Sequence, residues 1–169
     1  IDKELTFTPI INYGGGVDSS QRFLFDYNQI ISGGYLSTDL HFDSNLEKQN
    51  SDYWLTDASL VTNYSKNLNE NYRFNFNSAL QTSQNYIQIT QPNDELSYTN
   101  SLSTKINLEG FNINKIDDYL QVNSSLYQTN HKNEDTETLP KVLPSIKYYS
   151  GNAIVRGTNY NNLYEFYNI

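Results

Sequence analysis

The 169-residue chain has no cysteine and no methionine, only three alanines, and 11 Lys and Arg against 19 Asp and Glu. Without cysteine there is no disulfide framework, no thiolate zinc cluster and no thiol nucleophile. The near absence of alanine removes the best helix former. A net charge of −8 with no basic cluster excludes nucleic acid as an expected partner, because phosphate binding needs concentrated positive charge. No apolar run approaches the roughly 18 residues of a membrane helix, and no signal-peptide pattern opens the chain. A helical membrane protein is thereby excluded, whereas a membrane β-barrel is not. The missing methionine, with a start at Ile1-Asp2-Lys3, reads as an internal piece of a longer product.

What the sequence does contain is aromatic and polar: 15 Tyr, 8 Phe and 24 Asn, at 37% apolar residues. Low apolarity alone suggests disorder, but disordered chains are poor in aromatics. Tyr, Phe, Thr and Ile favour the pleated surface of a sheet. High Asn with Lys and Ile is also what an AT-rich genome produces, but that does not account for the patterning.

Apolar and polar residues alternate with the period of a strand along much of the chain. Leu5, Phe7, Pro9, Ile11 and Tyr13 oppose Glu4, Thr6, Thr8 and Asn12. Gly14-Gly15-Gly16 and Asp18-Ser19-Ser20 form a turn, and a second strand runs through Arg22–Ile31, with Phe23, Phe25 and Tyr27 opposite Arg22, Asp26 and Asn28. After the tight turn Ser32-Gly33-Gly34, Leu36, Thr38, Leu40 and Phe42 oppose Tyr35, Ser37, Asp39, His41 and Asp43. Beyond the polar loop Glu47–Asp52, Trp54, Ala58, Leu60 and Tyr64 share a face; then Tyr72, Phe74, Phe76 and Leu80 alternate with Arg73, Asn75, Asn77 and Gln81. A segment around Tyr86–Thr90 and the turn Gln91–Asp94 precede a long strand, whose one face carries Leu96, Tyr98, Leu102, Ile106 and Leu108 and whose other carries Lys105 and Glu109. Leu120, Val122 and Leu126 mark the next strand, the loop Asn130–Thr138 is highly polar, and a Pro-containing strand runs from about Leu139 to Tyr149 before a weakly patterned tail.

About eight strands of roughly 10–13 residues exceed the soluble mode of about 5–6 and match the 9–11 that a tilted membrane strand needs. Connections tend to alternate short and long, and the polar faces carry charge over their full length, as in outer-membrane barrels. Tyr13, Trp54, Tyr64 and Tyr72 lie near strand ends, where aromatic girdles sit. The expected fold class is all-β, an antiparallel up-and-down meander forming part of a large transmembrane β-barrel. Residues 1–169 are then one incomplete barrel domain. A soluble antiparallel sheet, one face buried and one wet, shares the pattern, although Thr38, Thr56, Ser78, Asn100 and Ser124 would weaken its core.

Catalytic chemistry finds no constellation. His41 shares a face with Asp39 and Asp43 at alternate positions, which could gather a metal or an acid/base pair, but a solvated polar face is the favoured reading. His131 lies in a charged loop, and Asp117-Asp118 point to opposite faces if extended. The triple glycine has no following helix to cradle phosphate. The two Asn-x-Ser sequons, at Asn63 and Asn123, are fewer than chance gives at this composition. No enzyme activity, metal or cofactor is expected.

Several stretches resemble the LptD family (also called OstA or Imp) of outer-membrane lipopolysaccharide-assembly proteins. Glu4-Leu5-Thr6-Phe7-Thr8-Pro9 looks like that family's D-L-T-L-T-P strand, and Arg22-Phe23-Leu24-Phe25-Asp26-Tyr27 takes the place of its E-Y-R-Y-type strand. Leu126-Tyr127-Gln128-Thr129, a polar loop and Thr138-Leu139-Pro140-Lys141-Val142-Leu143-Pro144 follow in the family's order and spacing. Ser83-Gln84-Asn85-Tyr86 is an approximate stand-in for its S-D-x-x-Y segment. The resemblance spans roughly residues 2–150. It implies the early part of a large barrel in the cell outer membrane, following a periplasmic jelly-roll domain. Lipopolysaccharide would arrive over an LptA-type periplasmic bridge and leave laterally into outer-membrane lipid, with an LptE-type lipoprotein plugging the lumen. Arg22, Asp39, His41, Asp57, Arg73, Lys105 and Glu109 would face that lumen. Another barrel, such as a porin or TonB-dependent receptor, and a soluble surface-binding β-protein are the alternatives.

Overall fold

A computed structural model describes residues 2–12, 20–45, 57–83, 86–91, 93–114, 117–130, 139, 141–155 and 158–166. Its strands are β1 (Lys3–Asn12), β2 (Ser20–Ile31), β3 (Gly34–Asn45), β4 (Asp57–Asn67), β5 (Tyr72–Gln81), β6 (Ser101–Phe111), β7 (Tyr119–Thr129), β8 (Val142–Val155) and β9 (Thr158–Phe166). They form one nine-stranded sheet in chain order. Every neighbouring pair is antiparallel. Among the described residues β1 and β9 each have a single strand partner, so this sheet is open. The chain is thus all-β in class, an up-and-down meander, and the weakly patterned tail supplies a ninth strand. Tyr13, the triple-glycine turn, Glu47–Asp52, Trp54, Thr56 and His131 lie outside the described residues.

The strand expected from Leu96 begins instead at Ser101. Tyr86–Thr90 is a short helix, α1, and Glu95–Tyr98 is a 3₁₀ turn. The cause is local. The Asp94 carboxylate accepts from the Leu96 N–H at 2.8 Å, and its carbonyl accepts from the Ser97 N–H at 3.0 Å and from Ser97 Oγ at 2.7 Å. An acidic cap of this kind offers the backbone an alternative to a ladder.

From β1 to β7 no register shift interrupts the ladders, so alternation sorts side chains consistently between two faces. One face carries rows such as Phe7–Phe25–Leu40–Leu60–Leu80 and, at the other end of the strands, Tyr72–Gly110–Leu120–Tyr148–Tyr164. Phe7, Phe23, Phe25 and Phe42 pack together there, with neighbouring ring centroids 4.7–6.1 Å apart. Gly110 lies beneath Tyr72: a Cβ on it would stand 2.9 Å from the ring, so the aromatic fills the place a side chain would take.

Burial runs opposite to that of a water-soluble sheet. On the apolar face Leu5 is 67%, Phe7 50% and Leu126 53% exposed, whereas Ser59, Gln81 and Ser145 on the polar face are buried. The only cluster of buried apolar residues among the described ones, Ala79, Ile87 and Leu102 with Val61 and Leu96 against it, lies where α1 meets the sheet.

The connections alternate by end. Residues 13–19, 46–56, 82–100 and 130–141 join strands at one end, and 32–33, 68–71, 112–118 and 156–157 at the other. At the short-connection end Gly33 takes φ +76°, and Asn112 and Asp117 take φ 50° and 70°. The Asn112 side chain accepts from the Asp117 N–H, an Asx-type closure. Both register shifts of the sheet fall on β8: between Asn123 and Ser125 of β7 it inserts one residue around Pro144, and opposite β9 it inserts one between Ser150 and Ala153. Pro144 has no N–H for a ladder, and a bulge is where that is tolerated.

Gly34 is held tightest: a Cβ there would fall on the Ser65 carbonyl and 2.8 Å from Lys66 Cα. Gly34→Ala is expected to part β3 from β4 at this end and cost about 1–3 kcal/mol, as overpacking does. Urea unfolding beside the exposed-turn control Ser32→Ala, expected near wild type, checks it.

Candidate functional site

Strand register puts Arg22, Asp39, His41, Asp57, Arg73, Lys105 and Glu109 on one face. They do not form a single cluster. Arg22 pairs with Asp43 in a two-pronged contact, Nε to Oδ1 at 2.8 Å and Nη2 to Oδ2 at 3.2 Å. That pairing draws Asp43 away from the Asp39/His41/Asp43 grouping. His41 Nε2 lies 3.9 Å from Asp26 Oδ1 instead, and its Nδ1 is buried without a hydrogen-bond partner. Asp57 is the cross-strand neighbour of Asp43. Arg73 stands opposite Glu109, but its Nε donates to Asn67 Oδ1 at 3.1 Å, while Glu109 accepts from the Tyr119 hydroxyl at 3.2 Å. Lys105 sits among Asn75, Asn77, Asn107, Asn123 and Ser125 along a shallow depression. Among the described residues no group of three His, Cys, Asp or Glu is placed to hold a metal ion.

Charge is unevenly spread. Over β1–β4 the polar face carries Glu4, Asp26, Asp39, Asp43 and Asp57 against Arg22; over β5–β9 it carries Arg73, Lys105 and Lys147 with Glu109 and Glu165. Lys147 and Glu165 pair at 3.0 Å.

Sequence reasoning missed the segment between β5 and β6, which folds back over the polar face. Its seat is formed by Val61 and Ala79, cross-strand partners that break the polar pattern of that face. Ile87, fully buried, and Leu96 pack there, and β6 stops pairing with β5 beyond Thr104 so that Leu102 joins them. Burying a side chain of this size contributes about 1.5–3 kcal/mol.

A buried clasp holds the segment. Gln81 Oε1 accepts from the Ile87 N–H at 3.0 Å, and Gln81 Nε2 donates to Asn130 Oδ1 at 3.1 Å. Asn130 Nδ2 in turn donates to the carbonyls of Leu96 and Thr99, both at 3.0 Å. Gln128 exchanges hydrogen bonds with the Gln81 backbone at 3.0 and 2.7 Å. Arg22 Nη1 donates to the Thr90 carbonyl at 3.3 Å, and Gln91 Nε2 to Ser59 Oγ at 3.2 Å. Burial first, and then the Asp43 carboxylate, push the Tyr86 phenol well above its ordinary pKa, so it stays neutral beside the Arg22–Asp43 pair. The one advance sign of this arrangement was Val61 and Ala79, two apolar residues adjacent on a polar face.

Between the segment and β2–β4 lies a polar cavity of about 490 Å³, lined by Asp26, Asp39, His41, Ser59, Gln91 and Asp94 among others. No helix among the described residues is long and apolar enough to cross a membrane, which says nothing of strands. Comparison of the chain with protein-family models, with curated proteins and with solved structures finds no match.

The Arg22 and Asp43 side chains are 26% and 20% exposed, between a surface pair and a sealed one. Removing one partner by Arg22→Met is expected to cost about 1–3 kcal/mol, and Arg22→Met/Asp43→Leu to recover part of it, since no charge is then stranded. A double-mutant cycle by urea unfolding measures both.

Proposed function

We propose that this chain is a stretch of the wall of an outer-membrane β-barrel, with its apolar face against lipid and its polar face toward a water-filled lumen. The inverted burial carries the reading. Leu5, Phe7, Ile11, Leu80, Ile106, Leu126 and Ile146 are exposed on one face, while Ser59, Gln81 and Ser145 are buried on the other. A contiguous apolar surface of this extent is not left bare in water, and lipid covers it at no cost to backbone hydrogen bonds that are already paired within the sheet. Strands of 9 to 14 residues are long enough to span while tilted. The alternation of connections and the tyrosine row at the short-connection end fit the turns, loops and girdles of such barrels. Arg22, Asp39, His41, Asp57, Arg73, Lys105 and Glu109 then face the lumen, where they hold water.

Within that reading, the resemblance to LptD supports lipopolysaccharide as cargo. The polar face then meets an LptE-type plug and the saccharide, upstream delivery comes over an LptA-type bridge, and release is into outer-membrane lipid without catalysis.

In a Trp54→Phe background, Phe7→Trp in the full-length protein is expected to be quenched by lipids brominated on their acyl chains, and Thr6→Trp, one position along, is not. Equal quenching of the two, or recovery of the protein in the soluble fraction without detergent, overturns the wall. Depletion from a Gram-negative host is expected to stop new lipopolysaccharide reaching the surface. Normal surface display under depletion overturns the cargo and leaves the wall standing.

A further inference from the structure

We infer that the described part of the segment between β5 and β6 is a fixed internal constriction of the lumen, not a surface loop. The inference rests on the barrel-wall reading. The segment joins strands at the end with long connections, where a loop is free to extend into solvent. It turns inward instead. A five-residue helix such as α1 has no stability of its own, since nucleation is unfavourable and few hydrogen bonds follow it. Its position is therefore set by what it docks on.

Three independent attachments fix it. Val61 and Ala79 give the polar face an apolar spot where Ile87 and Leu96 are seated. Gln81 and Asn130, both buried, hold the Ile87 N–H and the Leu96 and Thr99 carbonyls from two different strand ends. Arg22 and Gln91 tie the end of α1 to β2 and β4. Buried side chains that satisfy one another and the backbone of another segment are costly to undo, because release strands each in turn. A loop that merely brushed the wall would not carry a clasp of this kind.

What remains open beside the segment is the cavity of about 490 Å³ lined by Asp26, Asp39, His41 and Asp94. The segment thereby narrows the space over this part of the polar face and leaves a small acidic chamber beside it.

The chain has no native cysteine, so Ile87→Cys gives a single thiol in these residues. In the full-length protein in liposomes, a water-soluble maleimide is expected to label Ile87→Cys slowly. Adding Gln81→Ala and Asn130→Ala should raise the labelling rate by about tenfold or more and speed oligosaccharide influx. Replacing residues 86–98 by a Gly-Ser linker of equal length provides a second release variant should the first misfold, and influx is expected to rise in the same way. Rapid labelling without the release substitutions, or release without faster influx, overturns the constriction. If Phe7→Trp is still quenched by brominated lipid in that case, the wall reading survives. An unquenched Trp at position 7 overturns both.

Discussion

Antiparallel pairing without slippage is the constraint on which the molecule depends. A strand presents successive side chains to opposite faces, and one residue of slip would exchange the faces entirely. The ladders from β1 to β7 hold a single register frame, and cross-strand rows such as Arg22–Asp43–Asp57 and Asn77–Lys105–Ser125 stay on one side. Displacing β2 or β3 by a residue would place Arg22, Asp26, Asp39 or Asp43 among the phenylalanines of β1–β3. The tight turn at Gly33-Gly34 and the Asx closure at Asn112 fix that frame where the strands reverse.

Because the frame is strict, the alternation of the sequence translates almost directly into faces. Eight of the nine strands, their meander order, the short and long ends and the shared face of Arg22, Asp39, His41, Asp57, Arg73, Lys105 and Glu109 were legible from period-2 patterning, whereas β9 lay in a tail too weakly patterned to read. What patterning could not convey was the behaviour of residues 86–98. Leu96 and Tyr98 stand at the spacing of a strand, but the Asp94 cap turns them into a 3₁₀ helix, and a two-residue alternation is too short to outvote three local hydrogen bonds. Asn130 was illegible for another reason: it opens a polar stretch and looks like loop, yet it is fully buried because its partners come from residues about thirty positions earlier. The Asp39/His41/Asp43 grouping shows the converse, since sharing a face does not bring side chains together when Arg22 competes for one of them.

Polar satisfaction, more than apolar burial, organises the polar face of the sheet. Gln81, Thr129 and Asn130 are among the most deeply buried residues described, while large apolar side chains stay open on the opposite face. Such an arrangement is self-consistent when the surrounding medium on one side is hydrocarbon, where the hydrophobic effect supplies no reason to hide Phe or Leu and every polar group has to find its partner within the protein.

β8 differs from the other strands in length, with 14 residues where the rest have 9 to 12. Its two extra residues sit near opposite ends, one against β7 and one against β9. A ribbon that is longer than the edges to which it is stitched cannot lie straight between them; it bows, as a strip of cloth eased into a shorter seam does. β8 therefore carries both register shifts described in the sheet, each bending the strand and raising its twist locally, while the ladders from β1 to β7 run without one.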